Sequence, residues 1–186
     1  PKKLPQAKPE VFRLITISAY YAHKNLEIIP DVLKELRGRG IDNVEFILTI
    51  KEAEFKKYIS SKYDKSIINL GPILPEEAPS LYSESDSLFL PTLAECFSAS
   101  YPEAMVMEKP IITTNLGFAR SICGKAALYY QPKDPIAAAN AIEKLINNTS
   151  LQKYLIKNGK LQLRSFDTPQ ERAEKYLNIC KKMVYH

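Results

Sequence analysis

Short apolar runs alternate with amphipathic stretches along most of this 186-residue chain. Residues 11–17, VFRLITI, form a mostly apolar, β-branched run with the length of a buried strand. Runs that are apolar on both faces are typical of a parallel sheet covered by helices. Six such runs occur, and they predict strands at 11–17, 44–50, 66–70, 87–91, 110–114 and 126–130.

The stretches between these runs carry apolar residues at helical spacing. An apolar stripe extends from Ile29 to Leu36, with Pro30 in the first turn and Gly38 at the end. The same spacing predicts further helices at 51–63, 76–85, 98–108, 118–123, 136–146, 151–163 and 169–184. This alternation predicts an α/β fold, a Rossmann-like three-layer sandwich with a parallel sheet of about six strands.

The predicted sheet also indicates where a ligand would bind. In open parallel sheets, ligands lie beside the carboxyl ends of the strands, near the N-termini of helices. The chain contains neither GxGxxG nor GxxxxGKS/T, so ordinary dinucleotide and P-loop sites lose their main support. The segments to search are therefore 18–25, 49–51, 71–75, 91–100 and 114–118.

Residues 91–110, PTLAECFSASYPEAMVMEKP, carry two carboxylates in a distinctive arrangement. Glu95 is predicted in a loop after a strand, and Glu103 in the first turns of the next helix. Residues 97–100 between them offer backbone N–H groups at a helix N-terminus, which favours an anion. The arrangement suits a diphosphate with hydroxyl-rich groups at both ends. Two alternatives stay open, because Ser100-x-x-Glu103 is also a capping box and Glu95 is alternatively an exposed loop acid.

Composition restricts the partners of the chain. The net charge of +5 is compatible with phosphorylated ligands or anionic surfaces, but a solvated lysine-rich surface is the favoured explanation. The lysines are scattered among acids, without the aromatic–basic interleaving of nucleic-acid modules, so no nucleic-acid partner is predicted. Apolar runs here are shorter than the roughly 20 residues that a membrane-spanning helix needs.

The cysteines and histidines indicate neither a disulfide framework nor a metal site. Cys96, Cys123 and Cys180 are widely spaced, and only two histidines occur. Cys96 has no plausible partner base nearby in sequence, so a nucleophilic role is not favoured. The start, PKKLPQAKPE, lacks the apolar stretch of a secretory signal. These features predict a cytoplasmic protein, and peripheral contact with the inner membrane surface stays open.

The segment SDSLFLPTLAECFSASYPEAMVMEKPIITTNLGFA resembles the donor site of retaining glycosyltransferases of group 1, the family-4-like enzymes of GT-B fold. Their signature is Glu-x7-Glu followed by a helix, a proline-led strand and an Asn/Asp-x-Gly turn. Glu95 and Glu103 match the two glutamates, and Asn115-x-Gly117 matches the turn. The likeness extends over about residues 15–148 in the expected order and spacing.

This resemblance implies catalytic roles for two residues. Glu95 would face the transferred sugar and its developing positive charge. Lys24 matches the family lysine that neutralises the phosphates of the leaving group, although a surface lysine at the start of a turn is the alternative. His23, beside it, is either a phosphate contact or an exposed turn histidine.

The remaining implied contacts belong to the donor nucleotide. Glu103 would bind the ribose hydroxyls. The implied phosphate contacts are the amides of Phe97, Ser98 and Ala99 and the hydroxyls of Ser98 and Ser100. The residues implied near the nucleobase are Ile73 and Leu74.

The chain departs from the family pattern at several positions. Ser18-Ala19 stands where the family often has Gly-Arg, so the phosphate-binding arginine is missing. Cys96 and Ser98 replace the two glycines of the common Glu-Gly-Phe-Gly, and Ser121 stands where many members have a glutamate. The first two departures are expected to crowd or weaken the phosphate pocket.

The resemblance implies transfer of a hexosyl unit from a nucleoside-diphosphate sugar to an acceptor hydroxyl, with retention of configuration. It implies no cofactor and no metal. Residues 1–10 are predicted as a linker, 11–165 as the Rossmann-like nucleotide-sugar-binding domain, and 166–186 as a C-terminal helix packing toward a missing N-terminal domain.

That missing domain would bind the glycan or lipid-linked acceptor, so this chain alone is expected to be inactive. Two other functions stay open. One is a sugar-nucleotide epimerase of GT-B architecture, and the other is a non-catalytic module that binds a nucleotide or a partner.

Overall fold

The computed structural model describes Leu4, residues 10–59 and residues 65–184. The strands are β1 Phe12–Thr16, β2 Val44–Leu48, β3 Ile67–Asn69, β4 Ser87–Leu90, β5 Ile111–Thr114 and β6 Ala127–Tyr130. The α-helices are α1 Ile29–Gly38, α2 Glu52–Tyr58, α3 Ala78–Ser83, α4 Ser100–Val106, α5 Gly117–Cys123, α6 Pro135–Ile146, α7 Thr149–Leu163 and α8 Pro169–Val184. Short 3-10 helices span Ala22–Lys24, Leu26–Ile28 and Pro75–Glu77.

Each predicted strand is present, shortened at one or both ends. The helix predicted over 76–85 begins instead as a 3-10 turn and becomes α3 only at Ala78. Pro79 accounts for this start, because proline has no N–H to donate and fits only the first turn of a helix. Positions 60–63 of the helix predicted over 51–63, and most of the predicted linker, lie outside the described residues.

The strands form one parallel sheet in the order β3-β2-β1-β4-β5-β6. The chain builds outward from β1 to β3, then returns to the other side of β1 and builds outward again. The topological switch point therefore lies between β1 and β4. At such a point the following loops diverge and leave a crevice at the carboxyl ends of the strands, where ligands bind.

Successive side chains of each strand enter opposite layers of the molecule, as the pleat requires. On β1, Leu14 belongs to the core layer formed with α1, α6 and Phe55 of α2, whereas Ile15 belongs to the layer formed with α3, α4 and α5. Both side chains are fully buried. The predicted three-layer sandwich, with helices on both faces of a parallel sheet, is confirmed.

The last helix, α8, lies outside both of these layers. Its apolar side chains include Tyr176, Leu177, Ile179 and Met183, which are 54–78% exposed. The helix predicted at 169–184 thus carries apolar side chains that are open to solvent at Tyr176 and Leu177. Within the described part of the chain, no helix is both long and apolar enough to cross a membrane.

Candidate functional site

The loops that follow β1 and β4 meet at the carboxyl edge of the sheet, on either side of the switch point. A 3-10 turn, Ala22–Lys24, follows β1 and ends at Asn25 in the left-handed region, with φ of 53°. Asparagine adopts this conformation more readily than most residues. The Asn25 side-chain amide donates to the carbonyl of Pro91 at 3.4 Å, which ties the turn to the β4 loop.

The Lys24 ammonium forms an ion pair with the Glu95 carboxylate across this junction. Only 13% of the Lys24 side chain and 10% of the Glu95 side chain are exposed. The two residues predicted as catalytic, 71 positions apart in sequence, are therefore in direct contact. Because a carboxylate already neutralises Lys24, an anionic ligand at this point competes with Glu95 for the ammonium group.

Thr92 holds the Glu95 carboxylate in place, a role that the sequence did not reveal. Its fully buried hydroxyl lies 3.1 Å from the Glu95 carboxylate and 3.2 Å from the carbonyls of His23 and Ala94. A hydroxyl has one proton to donate, and a charged acceptor binds it most strongly. The position of Thr92, just past β4, was the available signal, since site residues gather at strand ends.

A Thr92→Val variant tests this hydrogen bond. We expect the free energy of unfolding to fall by about 1–3 kcal/mol, because a buried hydroxyl that donates to a charged group is lost while the shape is kept. Urea unfolding measures the change. Thr149→Val, the same replacement at an exposed position of α7, should change it by about 0.5 kcal/mol or less. If the Thr92→Val cost were as large in a Glu95→Ala background, the assigned bond would be wrong.

Glu103 is held by a buried tyrosine, and it does not cap its helix. The Tyr82 hydroxyl lies 3.2 Å from the Glu103 carboxylate and 3.3 Å from the carbonyl of Ser100. Burial and the nearby Glu103 carboxylate raise the pKa of Tyr82, so this hydroxyl stays a neutral donor. The capping-box alternative is wrong, because Ala99 occupies the N-cap and the Ser100 hydroxyl donates to the carbonyl of Ile17 at 3.2 Å.

The segment implied as a phosphate site lies directly before α4. The helix begins at Ser100 and not at Ser98 as predicted, so Phe97, Ser98 and Ala99 belong to the preceding loop. Ser98 is buried, whereas Phe97 is 49% exposed and meets the Phe166 ring edge-on at 6.1 Å. The role of these three backbone amides as hydrogen-bond donors to a phosphate stays a prediction.

A cavity of about 430 Å³ opens beside the ends of β1, β2 and β3. Ile73, which the resemblance places near the nucleobase, lies in its wall. Leu74, predicted beside it, is 59% exposed and is not among the described residues of that wall. The lining residues are Ile17, Ser18, Ala19, Tyr20, Tyr21, Thr49, Lys51, Glu54, Pro72 and Ile73.

Glu103 and Glu95 each line a further depression. Glu103 borders a mostly apolar one of about 340 Å³, formed between α3 and α4 with Tyr82 and Met107 among its walls. Glu95 borders an open one of about 550 Å³ together with His23 and Phe97. The two predicted glutamates therefore face different parts of the same edge of the domain.

All three cysteines are free thiols. Burial raises the pKa of the Cys123 thiol to about 12, so this side chain stays protonated in the core. Cys96 is exposed beside Glu95 and lines the same open depression. No group of three or more His, Cys, Asp or Glu side chains is placed to hold a metal ion within the described ranges.

The sequence of residues 11–148 matches the protein family described as Glycosyl transferases group 1. The chain is also similar to alpha-1,3/1,6-mannosyltransferase ALG2 from Homo sapiens, with 25% identity over 99% of this chain and 49% of the relative. The chain thus spans about half the length of that relative. The match over 11–148 confirms the resemblance indicated by the sequence motifs.

Solved structures share the fold. Sucrose-phosphate synthase from Thermosynechococcus elongatus has a TM-score of 0.80 at 18% identity, over 95% of this chain and 46% of that one. A variant of TarM from S. aureus in complex with Fondaparinux, alpha-GlcNAc-glycerol and UDP has a TM-score of 0.76 at 16% identity, over 95% and 37%. At such identities the likeness concerns the fold alone, and it confirms the predicted fold class.

Proposed function

Since this chain belongs to the family of Glycosyl transferases group 1, we propose that it binds a nucleoside-diphosphate sugar as the donor for hexosyl transfer with retention of configuration. The observation that carries the proposal is the Lys24–Glu95 pair at the switch point of the sheet. It supplies one positive and one negative group where a ligand of such a sheet binds. A solved protein of the same fold contains UDP, which supports a nucleoside diphosphate as the ligand class.

The proposed chemistry assigns opposite tasks to the two charges. The acceptor hydroxyl oxygen bonds to the anomeric carbon and gives its proton to the leaving diphosphate. The bond between the anomeric carbon and the phosphate oxygen breaks, and its electron pair stays on that diphosphate. The Lys24 ammonium stabilises this negative charge, together with the amides of Phe97, Ser98 and Ala99. The Glu95 carboxylate faces the positive charge that develops on the sugar. Because these groups stabilise part of the leaving-group charge, the proposal assigns no step to a metal ion or a cofactor.

We propose that the acceptor binds to a second domain. The chain spans 49% of its mannosyltransferase relative, so about half of that protein has no counterpart in this sequence. The exposed apolar side chains of α8, such as Tyr176 and Leu177, offer a surface for that domain. In this proposal the chain alone binds the donor nucleotide and transfers nothing.

A calorimetric titration of this chain with UDP, GDP and ADP tests the donor site, with Glu103→Ala as the first variant. We expect saturable binding of one nucleotide, weakened about 10- to 100-fold in Glu103→Ala, because the ribose loses hydrogen bonds to a charged group. The fold should persist, since the Tyr82 hydroxyl retains the Ser100 carbonyl as an acceptor.

The matched control for this titration is Glu174→Ala, which removes a glutamate from the exposed face of α8. Its affinity should equal that of the unchanged chain. Binding of no nucleotide by the chain would refute the donor site, and equal binding by Glu103→Ala would refute the role of Glu103 in it.

A further inference from the structure

A second positive charge lies at the carboxyl edge of the sheet, one strand away from Lys24. Lys51 follows β2 and immediately precedes α2. Its side chain is exposed and lines the 430 Å³ cavity together with Ser18 and Ala19. Among the described residues of that wall, it is the only lysine or arginine.

The ends of β1 and β2 stay side by side beyond their last paired residues, Thr16 and Leu48. The Ser18 amide donates to the Thr49 hydroxyl at 3.1 Å, which holds the two chain segments together where they enter the cavity. Adjacent strands lie only about 4.8 Å apart. A ligand bound over Ser18 is therefore within reach of the flexible Lys51 side chain.

The two lysines of this edge differ in their charge balance. The Lys24 ammonium is already paired with Glu95. No ion pair or hydrogen bond of the Lys51 ammonium is found within residues 10–59 and 65–184. A nucleoside diphosphate carries more than one negative charge, so a single, already neutralised lysine balances it poorly. Lys51 can therefore supply the missing charge without breaking a contact to any described residue.

We propose that Lys51 binds the diphosphate of the donor, an inference that rests on the proposed donor site. Lys51 supplies from the end of β2 the positive charge that an arginine at position 19 would supply from the end of β1. The small side chain of Ala19 leaves space for the Lys51 ammonium in the cavity that both residues line. Glu54, three residues further along on α2, lines the same cavity with a carboxylate. This carboxylate repels phosphate, so the phosphates lie on the Ser18 side of the cavity, away from Glu54.

The test compares Lys51→Met with Lys57→Met, which removes an exposed lysine of α2 that lies outside the described wall of the cavity. The probes are the nucleoside diphosphate that binds the unchanged chain, the corresponding nucleoside, and inorganic pyrophosphate. We expect Lys51→Met to lower the affinity for the diphosphate and for pyrophosphate about 10-fold, because roughly one charge-assisted contact is lost. The affinity for the nucleoside should stay unchanged. Lys57→Met should change none of the three affinities.

A rescue variant makes the test specific to charge. Ala19→Arg in the Lys51→Met background should restore diphosphate affinity, because it places a cation in the same cavity from the neighbouring strand. Undiminished diphosphate binding by Lys51→Met, an equal loss for the nucleoside, or failure of the rescue would each overturn the inference while leaving the donor site intact. Absence of binding by the unchanged chain would overturn both.

Discussion

Replacement of Lys24 by methionine is expected to reduce donor turnover by the proposed two-domain enzyme about 100- to 1,000-fold, the loss typical of removing one group that stabilises a leaving anion. The reason is the position of Lys24: its ammonium lies in a largely buried ion pair, with 13% of the side chain exposed. Low exposure strengthens its electrostatic effect on a ligand phosphate. Release of nucleoside diphosphate from the donor sugar, followed in a coupled assay, measures the loss.

Two controls separate the charge of Lys24 from its place in the fold. Lys24→Arg keeps a cation beside Glu95 and should retain more activity than Lys24→Met. Lys34→Met, at an exposed position of α1, should leave turnover unchanged. Turnover of Lys24→Met within twofold of the unchanged enzyme would exclude Lys24 from the reaction.

Replacement of Phe89 by alanine is expected to lower the free energy of unfolding by about 3–5 kcal/mol. Phe89 lies on β4 and is fully buried. Its ring meets Phe46 edge-on at 5.4 Å and stacks on Tyr130 at 5.9 Å. Alanine leaves a cavity between these two rings, which cannot close because both are fixed by their own strands. Against a total stability of about 5–15 kcal/mol, such a loss removes a large share of the free energy of unfolding.

Urea unfolding of Phe89→Ala and Phe97→Ala provides a matched comparison. Phe97 is 49% exposed and contacts Phe166 at its edge, so its removal should cost less than about 1 kcal/mol. If the two variants unfolded at the same urea concentration, the stability of this domain would not depend on the contacts of the Phe89 ring with Phe46 and Tyr130.

The fold was predictable because its signals are local. The strands are apolar on both faces, as Leu14 and Ile15 of β1 illustrate, and this pattern indicates a sheet covered by two layers of helices. Helix ends were less predictable, because they depend on distant contacts. The Ser100 hydroxyl is bound to the Ile17 carbonyl, 83 positions away, and this contact displaces the capping box that residues 100–103 suggested.

The sequence predicts the residues of the candidate site, whose roles stay predictions, and the structure adds their contacts. Lys24 and Glu95 were identified by resemblance to a family, whereas their ion pair follows from the sheet order, which periodicity does not specify. Thr92 and Tyr82 were not recognised as partners of the two glutamates. A threonine after a strand and a tyrosine in a helix are common, so only the three-dimensional structure distinguishes these two.

The interior position of β1 determines when the candidate site forms during folding. β1 pairs with β2, where Leu14 lies opposite Phe46, 32 positions later. Its other partner is β4, where Leu14 lies opposite Ser87, 73 positions later. Closing the longer loop costs more entropy and slows folding. Lys24 therefore remains without Glu95, its partner in the native state, until the two halves of the sheet join.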